Sequence, residues 1–201
     1  HADQHTLRFS PVDGRLYSGN DGGIYYSEDD GASWTDISSG LAISQAYKMA
    51  QSTSDPDMLM NGYQDNGTAR RDADGWTTIM GGDGMQCVVD PQNDNYQYAS
   101  IYYGAIYRTT SGGTNFAQIA GNGVNGIDED GAWVTPFFLD VNHTDIMYAG
   151  YTNVWKNADV KEGAGQMTWN RISDFADGRK IYAMEQAEAN EKMMYVSRED
   201  A

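Results

Sequence analysis

Ser27-Glu28-Asp29-Asp30-Gly31-Ala32-Ser33-Trp34 is the stretch on which the reading of this chain turns. It lies between two β-forming runs, residues 16–27 and 34–37. Its polar middle predicts a tight turn, in which Asp29 and Asp30 accept hydrogen bonds from the turn's own amides and Gly31 takes a positive φ. Trp34 then opens the return strand with a large apolar ring.

Weaker versions of the stretch recur. Arg71-Asp72-Ala73-Asp74-Gly75-Trp76 keeps the turn and the Trp, and residues 109–116 keep Gly112 and place Phe116 at the aromatic position. Residues 156–169 close on Trp169 after a longer loop. Each aromatic is followed three residues later by Ile, and Trp34, Trp76, Phe116 and Trp169 are 42, 40 and 53 residues apart. Periods near 40 with several short strands per unit predict an all-β fold, a β-propeller of four-stranded antiparallel blades. The modules read as blades at about 6–41, 42–81, 82–121 and 134–174, with a partial one at 180–201 and an insertion at 122–133. Four and a half modules suit an arc of a larger propeller, with the rest in a longer parent chain, better than a closed small ring. In this reading Ser27, Asp29, Gly31, Trp34, Asp74, Trp76, Gly112, Phe116 and Trp169 are structural, and the aromatics are expected in the core.

Composition narrows the function. Asp and Glu number 29 against 13 Lys and Arg, a net charge of −16. Nucleic acid and anionic membranes would be repelled, whereas cations, neutral glycans and basic proteins would not. No apolar run is long enough to insert in a membrane. The single cysteine, Cys87, leaves no internal disulfide; in the run Cys87-Val88-Val89 it reads as a small buried residue. A secreted or surface-exposed bacterial protein is the expected setting.

Strands that alternate in direction sort the loops of each blade onto two rims. The Trp34-type turns fall on one. Onto the other fall Asn20-Asp21-Gly22-Gly23, Tyr63-Gln64-Asp65-Asn66-Gly67, Tyr102-Tyr103-Gly104 and Tyr151-Thr152-Asn153, with the links that hold Asp83, Asp128 and Trp133. The candidate ligand-binding set is therefore His1, Asp3, His5, Asp21, Tyr63, Gln64, Asp65, Asp83, Tyr103 and Trp133, with Tyr102 and Tyr151 beside them. Carboxylates next to exposed aromatics suit a sugar or a cation; plain turn chemistry accounts for the same residues equally well. In an extended segment His1, Asp3 and His5 share a side with Leu7 and Phe9, and two His with one Asp form a candidate set of metal ligands. Hydrogen bonding within the fold is the competing role. No cofactor is required; Ca2+ or another divalent cation is compatible with these side chains.

The pattern Ser27-x-Asp29-x-Gly31-x-x-Trp34 is similar to the Asp-box of BNR repeats. Together with His1-x-Asp3-x-His5, Gln64-Asp65-Asn66-Gly67-Thr68 and Gly81-Gly82-Asp83-Gly84, it resembles secreted bacterial proteins of the sortilin-like propeller superfamily, strongly over residues 1–120 and loosely beyond. That superfamily includes xyloglucan-type endoglucanases, which pair two carboxylates as acid and base. The resemblance implies Asp21 as one candidate, through a partial match of Asp21-Gly22-Gly23 to the catalytic turn, with Asp65 or Asp83 as partner. Sialidases also carry Asp-boxes, but their three-arginine clamp has no counterpart, since Arg8, Arg15, Arg70, Arg71 and Arg108 fall on strands or on the opposite rim. The leading expectation is a non-catalytic extracellular propeller that binds a glycan or protein ligand at its acidic, aromatic rim. The alternatives are a glycoside hydrolase and a structural component of the cell surface or an appendage.

Overall fold

The computed structural model describes residues 3–41 and 43–200, so His1, one of the candidate ligands, lies outside the described residues. The chain divides into two compact units, His1–Gln45 and Ala46–Ala201.

The first unit is one antiparallel sheet in sequence order: β1 Gln4–Phe9, β2 Leu16–Asn20, β3 Gly23–Ser27 and β4 Thr35–Asp36. The second repeats the plan. Sheet two is β5 Ala46–Gln51, β6 Leu59–Tyr63, β7 Gly67–Asp72 and β8 Gly75–Met80. Sheet three is β9 Cys87–Val89, β10 Gln97–Ile101, β11 Ala105–Thr109 and β12 Ala117–Ala120. Sheet four is β13 Phe137–Leu139, β14 Met147–Gly150, β15 Val154–Asn157 and β16 Trp169–Arg171. A two-stranded hairpin, β17 Ile181–Ala187 and β18 Asn190–Arg198, follows. These are four blades and half of a fifth. No α-helix occurs among the described residues, and no helix there is long and apolar enough to cross a membrane.

Two polar caps recur in each blade. At the end of the third strand Ser27, Asp72, Thr109 and Asn157 accept the amide N–H two residues on, from Asp29, Asp74, Ser111 and Asp159 at 3.2, 3.0, 3.1 and 2.9 Å. In the second blade the capping carboxylate thus belongs to Asp72, while Asp74 is a donor. The other cap follows the first strand: Ser10, Ser52, Asp90 and Asp140 accept from Val12, Ser54, Gln92 and Asn142 at 3.2, 3.0, 2.8 and 3.0 Å. Such side-chain acceptors satisfy amides that the strands leave unpaired.

In the second unit the core forms between successive sheets. Cys87, Val89 and Ala99 of sheet three meet Met58 and Met60 of sheet two, with Phe116 packed against them. Phe137, Leu139, Met147, Trp155 and Trp169 of sheet four meet Tyr98, Ile106 and Ile119 of sheet three. Ile181 and Met184 of the hairpin meet Tyr148 and Val154 of sheet four. The expectation that every closing aromatic is buried therefore holds for Trp169, 2% exposed, but not for Trp34 and Trp76, at 42% and 51%. Both stand on the face a sheet turns toward its predecessor. Within its own unit, each belongs to a sheet with none.

Candidate aromatic and acidic site

In the first unit, Ser27 and Asp29 lock the turn that was read first. Ser27 Oγ accepts the Gly31 amide at 2.8 Å and donates to Asp29 Oδ1 at 2.7 Å. Asp29 also accepts the Ser33 amide at 2.8 Å and the Ser33 hydroxyl at 2.6 Å. Those Ser33 bonds, ahead of the one from Ser27, hold the Asp29 carboxyl down to about 2. Gly31 sits at φ 94°.

On the His5 side the expected alternation fails. The pairing of β1 with β2 shifts register between Gln4 and Thr6, so His5 occupies a bulge, which re-aims its side chain. His5 Nε2 makes contact with Asp21 Oδ1. Asn20 Oδ1 accepts the Gly22 amide at 2.8 Å, and Asp3 is exposed. Gly23 has a steric cause, because a Cβ there would lie 1.9 Å from Ser38 Oγ.

In the second unit the loops bring three aromatics together. Tyr102 and Trp133 stack with centroids 5.5 Å apart and planes 11° from parallel, and Tyr103 stands edge-on to both at 5.7 and 5.4 Å. All three face solvent, at 40%, 38% and 48% exposure for Tyr102, Trp133 and Tyr103. Trp133 Nε1 donates to Tyr47 Oη at 3.0 Å, which donates to Gln64 Oε1 at 2.6 Å. Lys180 Nζ lies 5.3 Å from the Tyr103 ring centre. Tyr103 adopts φ 60°, a left-handed conformation that costs a non-glycine residue about 1 kcal/mol or more and persists only where its surroundings impose it.

Beside Gln64, Asp83 Oδ1 accepts the Asp65 amide at 2.7 Å, and Asp65 itself has φ 58°. Two of the glycines around these aspartates, Gly67 and Gly84, serve packing. A Cβ on Gly67 would lie 2.1 Å from Met80 O, and one on Gly84 would lie 2.1 Å from Gly67 O. Their presence is explained by close backbone approach, without a ligand. Asp21 belongs to the first unit, Asp65 and Asp83 to the second.

Other candidates are placed differently. Tyr151 lies in the β14–β15 turn as expected, but its side chain is fully buried; its hydroxyl donates to Gly104 O at 2.7 Å, and burial pushes its pKa up. The space for it exists because residue 104 lacks a Cβ, which would approach the Tyr151 ring to 2.5 Å. Tyr63 turns to Trp76, with centroids 6.4 Å apart. In the insertion Asp128 is exposed, while its neighbour Glu129 is the structural acid. Glu129 accepts from Trp155 Nε1 at 3.0 Å, from the Thr152 and Asn153 amides at 3.1 and 2.8 Å, and from Asn153 Nδ2 at 2.7 Å. Burial acts to raise its pKa, but these donors, led by the Trp155 indole, outweigh it and leave the carboxyl lowered.

One grouping escaped the sequence reading. Asp140, His143 and Glu191 could converge on a cation. Asp140 is already engaged, however: Oδ1 accepts the Asn142 and His143 amides at 3.0 and 3.1 Å, and Oδ2 accepts Gln186 Nε2 at 2.8 Å and the Tyr148 hydroxyl at 3.3 Å. Its lone pairs serve the fold. His143 is three residues from Asp140, but Glu191 lies 51 residues away along the chain, a separation that no local motif flags.

No protein-family model matches the sequence, and no curated protein matches it. Solved structures do. An ancestral GH74 enzyme superposes with a TM-score of 0.58 and 14% identity, over 98% of this chain and 27% of its own. The GH74 enzyme of Niastella koreensis gives 0.51 and 18%, over 83% of this chain and 30% of its own. This chain is a β-propeller. It spans less than a third of the length of either enzyme.

Proposed function

We propose that this propeller binds a neutral glycan at the platform of Tyr102, Tyr103 and Trp133, without catalysing its cleavage. The observation that carries the reading is the pair of near-parallel, solvent-exposed rings of Tyr102 and Trp133, with Tyr103 fixed at a left-handed φ beside them. Exposed aromatic clusters are costly to leave in water, and the C–H faces of a pyranose cover such rings well. Gln64, Asp83 and Lys180 supply polar groups at the margin for sugar hydroxyls. The net charge of −16 disfavours acidic glycans. We further infer that the Ser27–Trp34 turn is an Asp-box, that the chain is of the sortilin-like, BNR-repeat kind and that it works outside the cell. In this reading no metal is needed.

Calorimetric titration with soluble β-glucans, mannans and xylans tests the proposal. Binding by the native protein, weakened at least tenfold in Trp133→Ala and Tyr102→Ala while both variants keep the native far-ultraviolet circular dichroism at the titration temperature, is the expected result. Absence of binding to every neutral glycan, or equal binding by both variants, would overturn it.

A hydrolase is the second reading, favoured because both GH74 neighbours are enzymes named for a glycoside hydrolase family. Inverting hydrolysis needs two carboxyl groups about 6.5–9.5 Å apart with room for a water. In the second unit Asp83 is occupied as the cap of the Asp65 turn. Accordingly, the protein should release no reducing sugar from β-glucans; release that disappears in Asp21→Asn would reverse the ranking.

A further inference from the structure

The aromatic platform is held by a phenol that is not part of it. Tyr47 lies in the first turn of pairing of β5 with β6, where the register shifts between Ala46 and Lys48. A bulge of this kind takes one side chain out of the strand's alternation and re-aims it. The Tyr47 side chain is half-buried, and its hydroxyl meets two residues from other parts of the second unit. These are Trp133, ahead of β13, and Gln64, in the turn between β6 and β7.

Donor and acceptor roles along this chain are forced. An indole nitrogen can only donate, so the Tyr47 oxygen, 3.0 Å from Trp133 Nε1, must accept. Its own hydrogen is then left for Gln64 Oε1, an acceptor 2.6 Å away. That bond settles which way the Gln64 amide lies. Its oxygen is turned to Tyr47, and its Nε2 keeps N–H donors for which no acceptor is found among the described residues. One hydroxyl thus sets two properties of the site. It fixes the rotation of the Trp133 indole, on which the stacking against Tyr102 depends, and it fixes the polarity of the group beside the rings.

Given the reading of Tyr102, Tyr103 and Trp133 as a glycan platform, on which this rests, we propose that Tyr47 is the platform's positioning residue and that Gln64 is its donor margin. Gln64 then takes a hydrogen-bond acceptor of the sugar: a ring or glycosidic oxygen, or a hydroxyl lone pair. Tyr47 does not need to touch the ligand, because it acts through Trp133 and Gln64. Tyr102 and Tyr103 are placed by the turn after β10, but Trp133 comes from the 122–133 insertion, and its single N–H is committed to Tyr47.

Protein labelled with 5-fluorotryptophan tests the positioning without any ligand. The chain has 5 Trp, and the fluorine resonance missing from Trp133→Ala is that of Trp133. Tyr47→Phe keeps the ring and removes the hydroxyl; it should shift the Trp133 resonance and leave the others in place. Calorimetric titration then uses whichever of the soluble β-glucans, mannans and xylans the native protein binds. Affinity should fall about tenfold in Tyr47→Phe, the scale of one lost hydrogen bond. Gln64→Glu still accepts from Tyr47 but has no N–H to offer, so it should weaken binding by a similar factor while the Trp133 resonance stays put. A Trp133 resonance unmoved by Tyr47→Phe would overturn the positioning role, and native affinity in Gln64→Glu would overturn the donor margin. A native protein that bound no neutral glycan would remove the platform reading and the donor margin with it, whereas the Trp133 resonance would still decide what Tyr47 holds.

Discussion

Asp29 takes three hydrogen bonds from two serines, and its stabilising effect therefore depends on its charge. A carboxyl held down to about 2 contributes stability that is complete above the ordinary carboxyl range and fades as pH falls toward 2. Thermal melts of Asp29→Asn should lie below those of the native chain at neutral pH and converge with them near the acid end. A constant gap across that range would show that shape, not charge, sets the contribution. Cys87 is the opposite kind of residue. Burial among Met58, Met60 and Val89 pushes its thiol up to about 12, so the nucleophilic thiolate is scarce at ordinary pH. Iodoacetamide at about pH 8 should leave Cys87 unmodified in the folded protein and label it fully in urea, as read by mass. Prompt labelling without denaturant would contradict this burial.

Loops tie the sheets together, and two of them were unequally legible. The Asp128-Glu129-Asp130 run is visible in the sequence, but the acid that matters is the middle one, whose donors Trp155 and Asn153 lie over 20 residues away. Glu129→Gln exchanges charge-assisted bonds for neutral ones and leaves one amide group mismatched, at a cost of about 1.5–3 kcal/mol in urea unfolding. Because its folded pKa is lowered, that contribution is present at neutral pH and disappears as pH falls through the lowered value. In the sequence the loop before Trp169 reads only as a longer version of the closing turn. It sends Lys161 to within 2.6 Å of Asp90 Oδ2, on a side chain with no solvent exposure, and to within 2.8 Å of Thr144 Oγ1. Lys161→Met should cost about 3 kcal/mol or more, since Asp90 would be left charged and buried without its partner. Adding Asp90→Asn should recover a large part of that loss. The turns themselves were readable because Asp, Gly and Ser act within four residues. These ties were not, because nothing local in Lys161 or Glu129 announces a partner on another strand.

Across the molecule, the same eight-residue idea was repeated with unequal consequences. Period and turn chemistry made the four-stranded sheets legible, since each sheet is built from neighbours in sequence. What they could not convey is which face of each sheet has a neighbour. Nor did the spacing of Tyr102, Tyr103 and Trp133 reveal a stacked platform, which needs the 122–133 insertion to fold back over β5 through the Trp133–Tyr47 bond. In an array where each sheet touches only its neighbours, stability is set interface by interface. The closing aromatics measure this directly. Trp169 is buried against Ile119, whose carbonyl accepts its indole N–H at 2.8 Å, so Trp169→Ala should cost about 3–5 kcal/mol. Phe116 is half-buried at the interface of sheets two and three and should cost less. Trp34 and Trp76 are about half exposed, and their replacement by Ala should cost under about 2 kcal/mol each. Urea unfolding, followed by both near- and far-ultraviolet circular dichroism, ranks the four. Equal losses at all four positions would mean that the motif stabilises its own hairpin alone, and that the contacts between sheets in the second unit contribute little.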